Sequence, residues 1–265
     1  MSETVTIETD ENVGGEQFAD MALEVGVFLI SSGAHCGRVL GNLTRLADRW
    51  GFAIHIHPTF TGLTITAKKL SSGETVTRYL DAPPHKAQLS VLTRFSHLTW
   101  RVLEEKLSFD FVRRQLVEIK AERGYNYWLV AVVVGLACAC LCMLAGGDVR
   151  NGACAFVAAF AGAVVRVWMQ RMRFNSMLVI IAAALTTTLI AGLDMIWRFG
   201  AFPETTLATS VLYLIPGVAL VNSVIDLIEG HMVSSMARGL YAAFHLLCIA
   251  TGMTVAITVL GISHF

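Results

Sequence analysis

A chain of 265 residues that is 55% hydrophobic and only 15% charged is too apolar for an ordinary water-soluble domain of that length. Its formal net charge of zero, with no basic cluster, argues against nucleic acid as a partner. Residues 1–124 hold 14 of the 20 Lys and Arg and 15 of the 20 Asp and Glu, whereas the rest hold six Arg, five acids and no Lys. Water is implied as the solvent of the first part and lipid as that of the second.

The chain opens on an acidic, polar run, Met1 to Glu16, the opposite of a basic segment followed by an apolar signal core. Residues 1–15 are expected to be a disordered tail, and the domain after them to stay in the cytoplasm. From Glu16 to Ser32, apolar residues recur at helical spacing (Phe18, Met21, Ala22, Val25, Phe28, Leu29), and Gly33 stops the helix. A second helix runs from Cys36 to Trp50 and stops at Gly51. The period then changes to two: Ala53–His57, Thr61–Ala67 and Glu74–Leu80 alternate, with Ser71-Ser72-Gly73 as a hairpin turn. After Pro83-Pro84 two helices follow, His85–Lys106 and Phe109–Arg123, the second capped by Ser108. Residues 16–124 thus read as a small α+β domain of order ααβββαα.

His55 and His57 share a strand face, and His35-Cys36 follows the first helix. A zinc site needs three or four converging ligands, and neither C-x-x-C nor H-E-x-x-H occurs. There is no G-x-S-x-G, P-loop or dinucleotide fingerprint. Neither an enzyme, a cofactor nor a metal is expected.

Crossing about 30 Å of hydrocarbon takes roughly 17–25 apolar residues as helix. Five stretches qualify: Tyr127–Ala145, Gly152–Met169, Ser176–Trp197, Thr206–Ile228 and Leu240–Gly261. The fold class expected is an α-helical integral membrane protein with five transmembrane helices and an N-terminal α+β domain. Tyr125, Tyr127, Trp128, Trp168 and Trp197 sit at span ends, where interfacial aromatics belong. Lys106, Arg113, Arg114, Lys120, Arg123, Arg171, Arg173 and Arg238 flank one side, and only Arg150 and Arg198 the other. The positive-inside rule then places the N-terminal domain in the cytoplasm and Phe265 outside. Five of six cysteines (Cys138, Cys140, Cys142, Cys154, Cys248) fall inside apolar spans and are expected as buried, reduced thiols. In the second span Ala155, Ala159 and Ala163, and Ala158 with Gly162, form small-residue stripes suited to tight helix packing or a subunit interface.

Polar groups inside spans are functional candidates. The fourth span carries Ser210, Pro216, Gly217, Asn222 and Asp226. Pro216 cannot donate an N–H, which frees the Leu212 carbonyl, and a Pro-Gly pair either kinks the helix or breaks it to expose backbone to a solute. Asn222 and Asp226, at i and i+4, share a face. Arg166 in the second span either pairs with Asp226, forming an anion site, or snorkels to headgroups. Thr186, Thr187 and Thr188 line a polar path or bond back to their own helix. His245 is a titratable or a structural histidine, and Asp194 reads as interfacial.

Gly26-Val27-Phe28-Leu29-Ile30-Ser31-Ser32-Gly33-Ala34, with a helix ending in Trp50-Gly51, resembles the start of the threonine/serine exporter family. So does Tyr127-Trp128-Leu129-Val130 leading into Gly135-Leu136-Ala137-Cys138-Ala139-Cys140. The most specific match is Ser210-Val211-Leu212-Tyr213-Leu214-Ile215-Pro216-Gly217, continuing through Asn222, Asp226 and Gly230-His231. The resemblance covers about Glu16 to Gly261 and is close to the split form, typified by the larger subunit of a bacterial succinate exporter. It implies a bacterial inner-membrane exporter without ATPase machinery, working in the lipid bilayer as an oligomer with a second, small membrane subunit. The expected solute is threonine and serine or a dicarboxylate such as succinate, driven by an ion gradient or its own. The expected path is Pro216, Gly217, Asn222, Asp226, Arg166, Ser210, Thr187 and His245. The alternative is a membrane-anchored, ligand-sensing or regulatory subunit that forms no path. Many relatives carry Glu where this chain has His35.

Overall fold

Two glycines close the first two helices. α1 (Gly15–Ser31) ends in a turn where Gly33 adopts φ 98°, and α2 (Cys36–Trp50) ends at Gly51 with φ 70°. Both values lie in the left-handed region that side chains with a Cβ avoid. The computed structural model describes residues 13–83, 88–121 and 125–262, so the expected tail lies almost wholly outside the described residues. The chain divides into two units: Met1–Arg123 with Val218–Leu240, and Gly124–Gly217 with Tyr241–Phe265.

In the first unit, β1 (Phe52–Pro58), β2 (Gly62–Lys69) and β3 (Thr75–Asp81) form an antiparallel sheet in that order. Leu63, Ile65 and Ala67 of β2 are buried, facing a core with Phe18, Val25, Leu29, Leu43, Leu46 and Phe95. Phe18 stacks on Phe52 at 4.3 Å between ring centroids. His55 and His57 lie on the other face of β1, exposed and opposite Thr66 and Thr64. The helix expected from His85 is described as α3 (Leu89–Glu104), the expected start lying outside the described residues, and α4 (Phe109–Lys120) is capped by Ser108, whose hydroxyl accepts the Phe111 N–H.

Among the described residues, four helices are long and apolar enough to cross a membrane: α5 (Tyr127–Leu144), α6 (Val149–Arg171), α7 (Ser176–Trp197) and α10 (Met232–Leu260). A bent pair adds a fifth crossing if counted as one broken span: α8 (Pro203–Ser210) with a 3-10 turn (Leu212–Leu214), then α9 (Gly217–Ile228). α6 lies between α5 and α7, and its stripe Ala155, Ala158, Ala159, Gly162 and Ala163 is buried there. The stripe therefore serves packing within the bundle. α10 begins eight residues before the expected fifth span, converting an expected loop into helix.

Asp194, near the end of α7, is 1% exposed. Its carboxylate accepts from the Asn151 amide at 2.8 Å, the Thr206 hydroxyl at 2.7 Å and the Gly200 N–H at 3.1 Å. Asn151 also closes a capping box with Asp148 at the start of α6. Three neutral donors satisfy the buried charge and tie α8 to α6 and α7.

Candidate functional site

The break in the fourth hydrophobic stretch follows from Pro216. A residue before proline is pushed out of the helical region, and Ile215 is extended at φ −61° and ψ 128°. The Leu212 carbonyl is not left free, because the 3-10 turn supplies it with the Ile215 N–H at 3.2 Å. This corrects the expectation drawn from proline alone. Gly217 N–H turns back to the Ile215 carbonyl at 2.8 Å, and a methyl added at Gly217 would meet open space.

Side chains from four helices surround this break. Cys138 of α5 donates its thiol to the Ser210 carbonyl at 3.8 Å, at the end of α8. The Ser210 hydroxyl donates to the Leu207 carbonyl, within its own helix. Thr187 of α7 is fully buried and lies 3.1 Å from the Tyr213 hydroxyl. Thr186, by contrast, bonds back to the Ala182 carbonyl. His245 of α10 is 9% exposed, its ring approaches the Leu214 carbonyl, and its Nδ1 has no hydrogen-bond partner. Arg166 of α6 is half-buried, and its charge reaches both Tyr213 and His245. Among the described residues, Arg166 has no carboxylate within ion-pair distance. Tyr213 was missed from the sequence, although its hydroxyl inside an apolar run was the available signal.

Asn222 and Asp226 belong to the other unit and are used differently. The Asn222 amide donates to the Gly33 carbonyl at 2.8 Å. Asp226, with no exposed surface, accepts the Cys36 N–H at 2.7 Å and pairs with the Arg238 guanidinium at 3.0 Å. Arg238 also donates to the Ala34 carbonyl at 2.9 Å. The expected cation for Asp226 was Arg166; the structure supplies Arg238. Glu229 accepts the Gly37 N–H at 3.0 Å and lies 3.2 Å from His35 Nδ1. Two carboxylates thus sit on the positive end of α2, where the helix dipole and free N–H groups favour anions. Glu229 and Arg238 were missed as members of this cluster. The signal was their spacing: Asn222, Asp226 and Glu229 share one face, as do His231, Ser234, Ser235 and Arg238 on another.

His35, Asp226 and Glu229 place ligand atoms within 4.8 Å of one another. A metal would have to displace Cys36 N–H, Gly37 N–H and Arg238 from those carboxylates, so the donor set fits a capped helix end better than a cation cage. Burial pushes the Cys36 thiol up to about 11 from an ordinary 9.0, helped by the Asp226 charge and opposed by a Ser234 hydrogen bond and Arg238. Between those values the unfolded chain loses its thiol proton first, so stability falls as pH rises. Melting in detergent from pH 8 to 11 is expected to fall less steeply in Cys36→Ala than in the wild type.

Residues 20–260 match a family described as "Putative threonine/serine exporter", ThrE. A "Probable succinate transporter subunit YjjP" of Escherichia coli (strain K12) is 26% identical over 246 residues, 91% of this chain and 94% of that protein. The protein of the same name from Klebsiella aerogenes is 27% identical over 245 residues, 91% and 93% of the two chains. No solved structure matches the chain. With most of its length matched, the chain belongs to the threonine/serine exporter (ThrE) family of membrane exporters for small metabolites.

Proposed function

We propose that the chain is one subunit of a gradient-driven exporter of small dicarboxylates such as succinate, and that its solute meets Arg166 beside the broken helix. The carrying observation is a half-buried guanidinium in a membrane helix with no carboxylate within ion-pair distance among the described residues. A cation so placed is costly, and an anionic solute offsets that cost. Thr187, Tyr213, His245 and the backbone at Ser210 to Pro216 complete the polar surface. A zwitterion such as threonine would need an acceptor for its ammonium as well, and among the described residues no acidic side chain lies within ion-pair distance of Arg166 to serve it. Asn222 and Asp226, expected on the path, serve in this reading to clasp the α1–α2 turn.

The remaining assignments rest on sequence. Lys and Arg in the flanks favour a cytoplasmic N-terminal domain, residues 16–124, and the bacterial inner membrane. The word subunit in the relatives' names supports a second membrane protein as partner.

Co-reconstitution with that partner in proteoliposomes tests the reading. Arg166→Gln is expected to lower succinate flux about tenfold or more, the worth of one charge-assisted hydrogen bond, with Arg166→Lys in between. Undiminished flux in Arg166→Gln would remove the proposed site. Loss of flux in neither Arg166→Gln nor Tyr213→Phe, with partner binding retained, would favour the regulatory reading.

A further inference from the structure

We infer that His245 is the proton-binding group of the exporter, protonated together with dicarboxylate binding, so that one proton accompanies each solute. The inference rests on the reading of Arg166 as the anion site. A dicarboxylate has two negative ends, and Arg166 satisfies one of them. Within electrostatic reach of Arg166 lie Tyr213 and His245, and of these the His245 imidazole is the group that can take up a proton and turn cationic. It is nine-tenths buried, and its Nδ1 is without a hydrogen-bond partner.

Among the described residues, the groups facing His245 from its neighbours are few. Arg166 comes from α6, Tyr213 and the Leu214 carbonyl from the broken segment, and Tyr241 from its own helix, in an edge-on ring contact at 5.9 Å. None of these is a carboxylate. Two like charges beside each other repel, and an anion between them offsets the repulsion, so solute and proton each raise the other's affinity. The Leu214 carbonyl can hold one ring nitrogen as a donor, leaving Nδ1 to take the proton and donate it to the second carboxylate. The balance is one proton gained by the imidazole from one side and released on the other, with no bond made or broken in the solute.

The test uses the chain with its partner subunit in proteoliposomes, with labelled succinate and an internal pH dye. The range is roughly pH 6.5 to 8, where imidazole titrates and succinate stays largely dianionic. In wild-type protein, flux is expected to rise toward the acid end with proton movement alongside. His245→Gln is expected to flatten the pH profile, lower succinate affinity about tenfold and abolish the coupled proton movement. Succinamate, with one carboxylate replaced by a neutral amide, is expected to be nearly insensitive to both pH and His245→Gln. Should His245→Gln fail to fold, succinate-dependent proton uptake by wild-type protein in weakly buffered detergent decides, with no uptake overturning the inference. A wild-type pH profile and proton movement in His245→Gln, while Arg166→Gln is inactive, overturns the inference and leaves the anion site standing. Intact flux in Arg166→Gln overturns both.

Discussion

Asp226→Ala is expected to cost about 3–5 kcal/mol and to deplete the folded protein, because it leaves the Arg238 charge buried with no counter-ion. Arg238 is 3% exposed and Asp226 fully buried, so water cannot replace the lost partner. The Cys36 N–H at the start of α2 loses its acceptor as well. Asp226→Asn keeps an acceptor for that N–H and is expected to fall between wild type and alanine. The paired change Asp226→Leu with Arg238→Met removes both charges and is expected to recover part of the loss. Recovery stays incomplete, since Cys36 N–H and the Ala34 carbonyl are left unsatisfied, at about 1–3 kcal/mol each. Thermal melting of the purified protein in detergent measures all three. An Asp226→Ala protein that melts with the wild type would show the buried pair to be dispensable.

Gly162→Val is the second large effect, and it acts on transport and stability together. A Cβ at Gly162 would fall on the Thr187 hydroxyl and the Tyr213 hydroxyl, and 3.1 Å from the Ala183 carbonyl. The two hydroxyls can turn away only by giving up their mutual hydrogen bond. The Ala183 backbone cannot turn at all, so α6 and α7 must separate. Overpacking of this kind costs about 1–3 kcal/mol, and valine adds two further methyl groups to the clash. Succinate flux is expected to fall to background even at temperatures where the protein stays folded. Gly217→Ala is the matched control: its added methyl meets open space, and both melt and flux are expected to stay near wild type. Equal flux in Gly162→Val and Gly217→Ala would detach the Thr187–Tyr213 contact from the transport path.

Much was legible from residue order alone. Apolar length identified the membrane helices, because hydrocarbon accepts a backbone only when it satisfies its own hydrogen bonds. Period-two alternation over Thr61–Ala67 marked a strand, whose Leu63, Ile65 and Ala67 the fold buries, and Ser108, Gly33 and Gly51 marked helix ends by local chemistry. Pro216 announced the break, since proline's effect on its neighbour is local too.

Partnership was not legible. The cation for Asp226 lay twelve residues on, in Arg238, hidden in what read as a loop, while the more obvious intramembrane Arg166 took no part. Pro216 suggested a free Leu212 carbonyl, yet a 3-10 turn consumed it, and the carbonyl that His245 approaches is that of Leu214. Asp194 carried no sign in sequence of its partners Asn151, Gly200 and Thr206, which converge on it from 6 to 43 positions away. The reason is common to all three. Solvent preference and backbone propensity are properties of a residue and its neighbours in sequence, whereas an ion pair or a hydrogen bond depends on directions and distances of a few ångströms. Those are set when separate helices pack, and no single segment carries them.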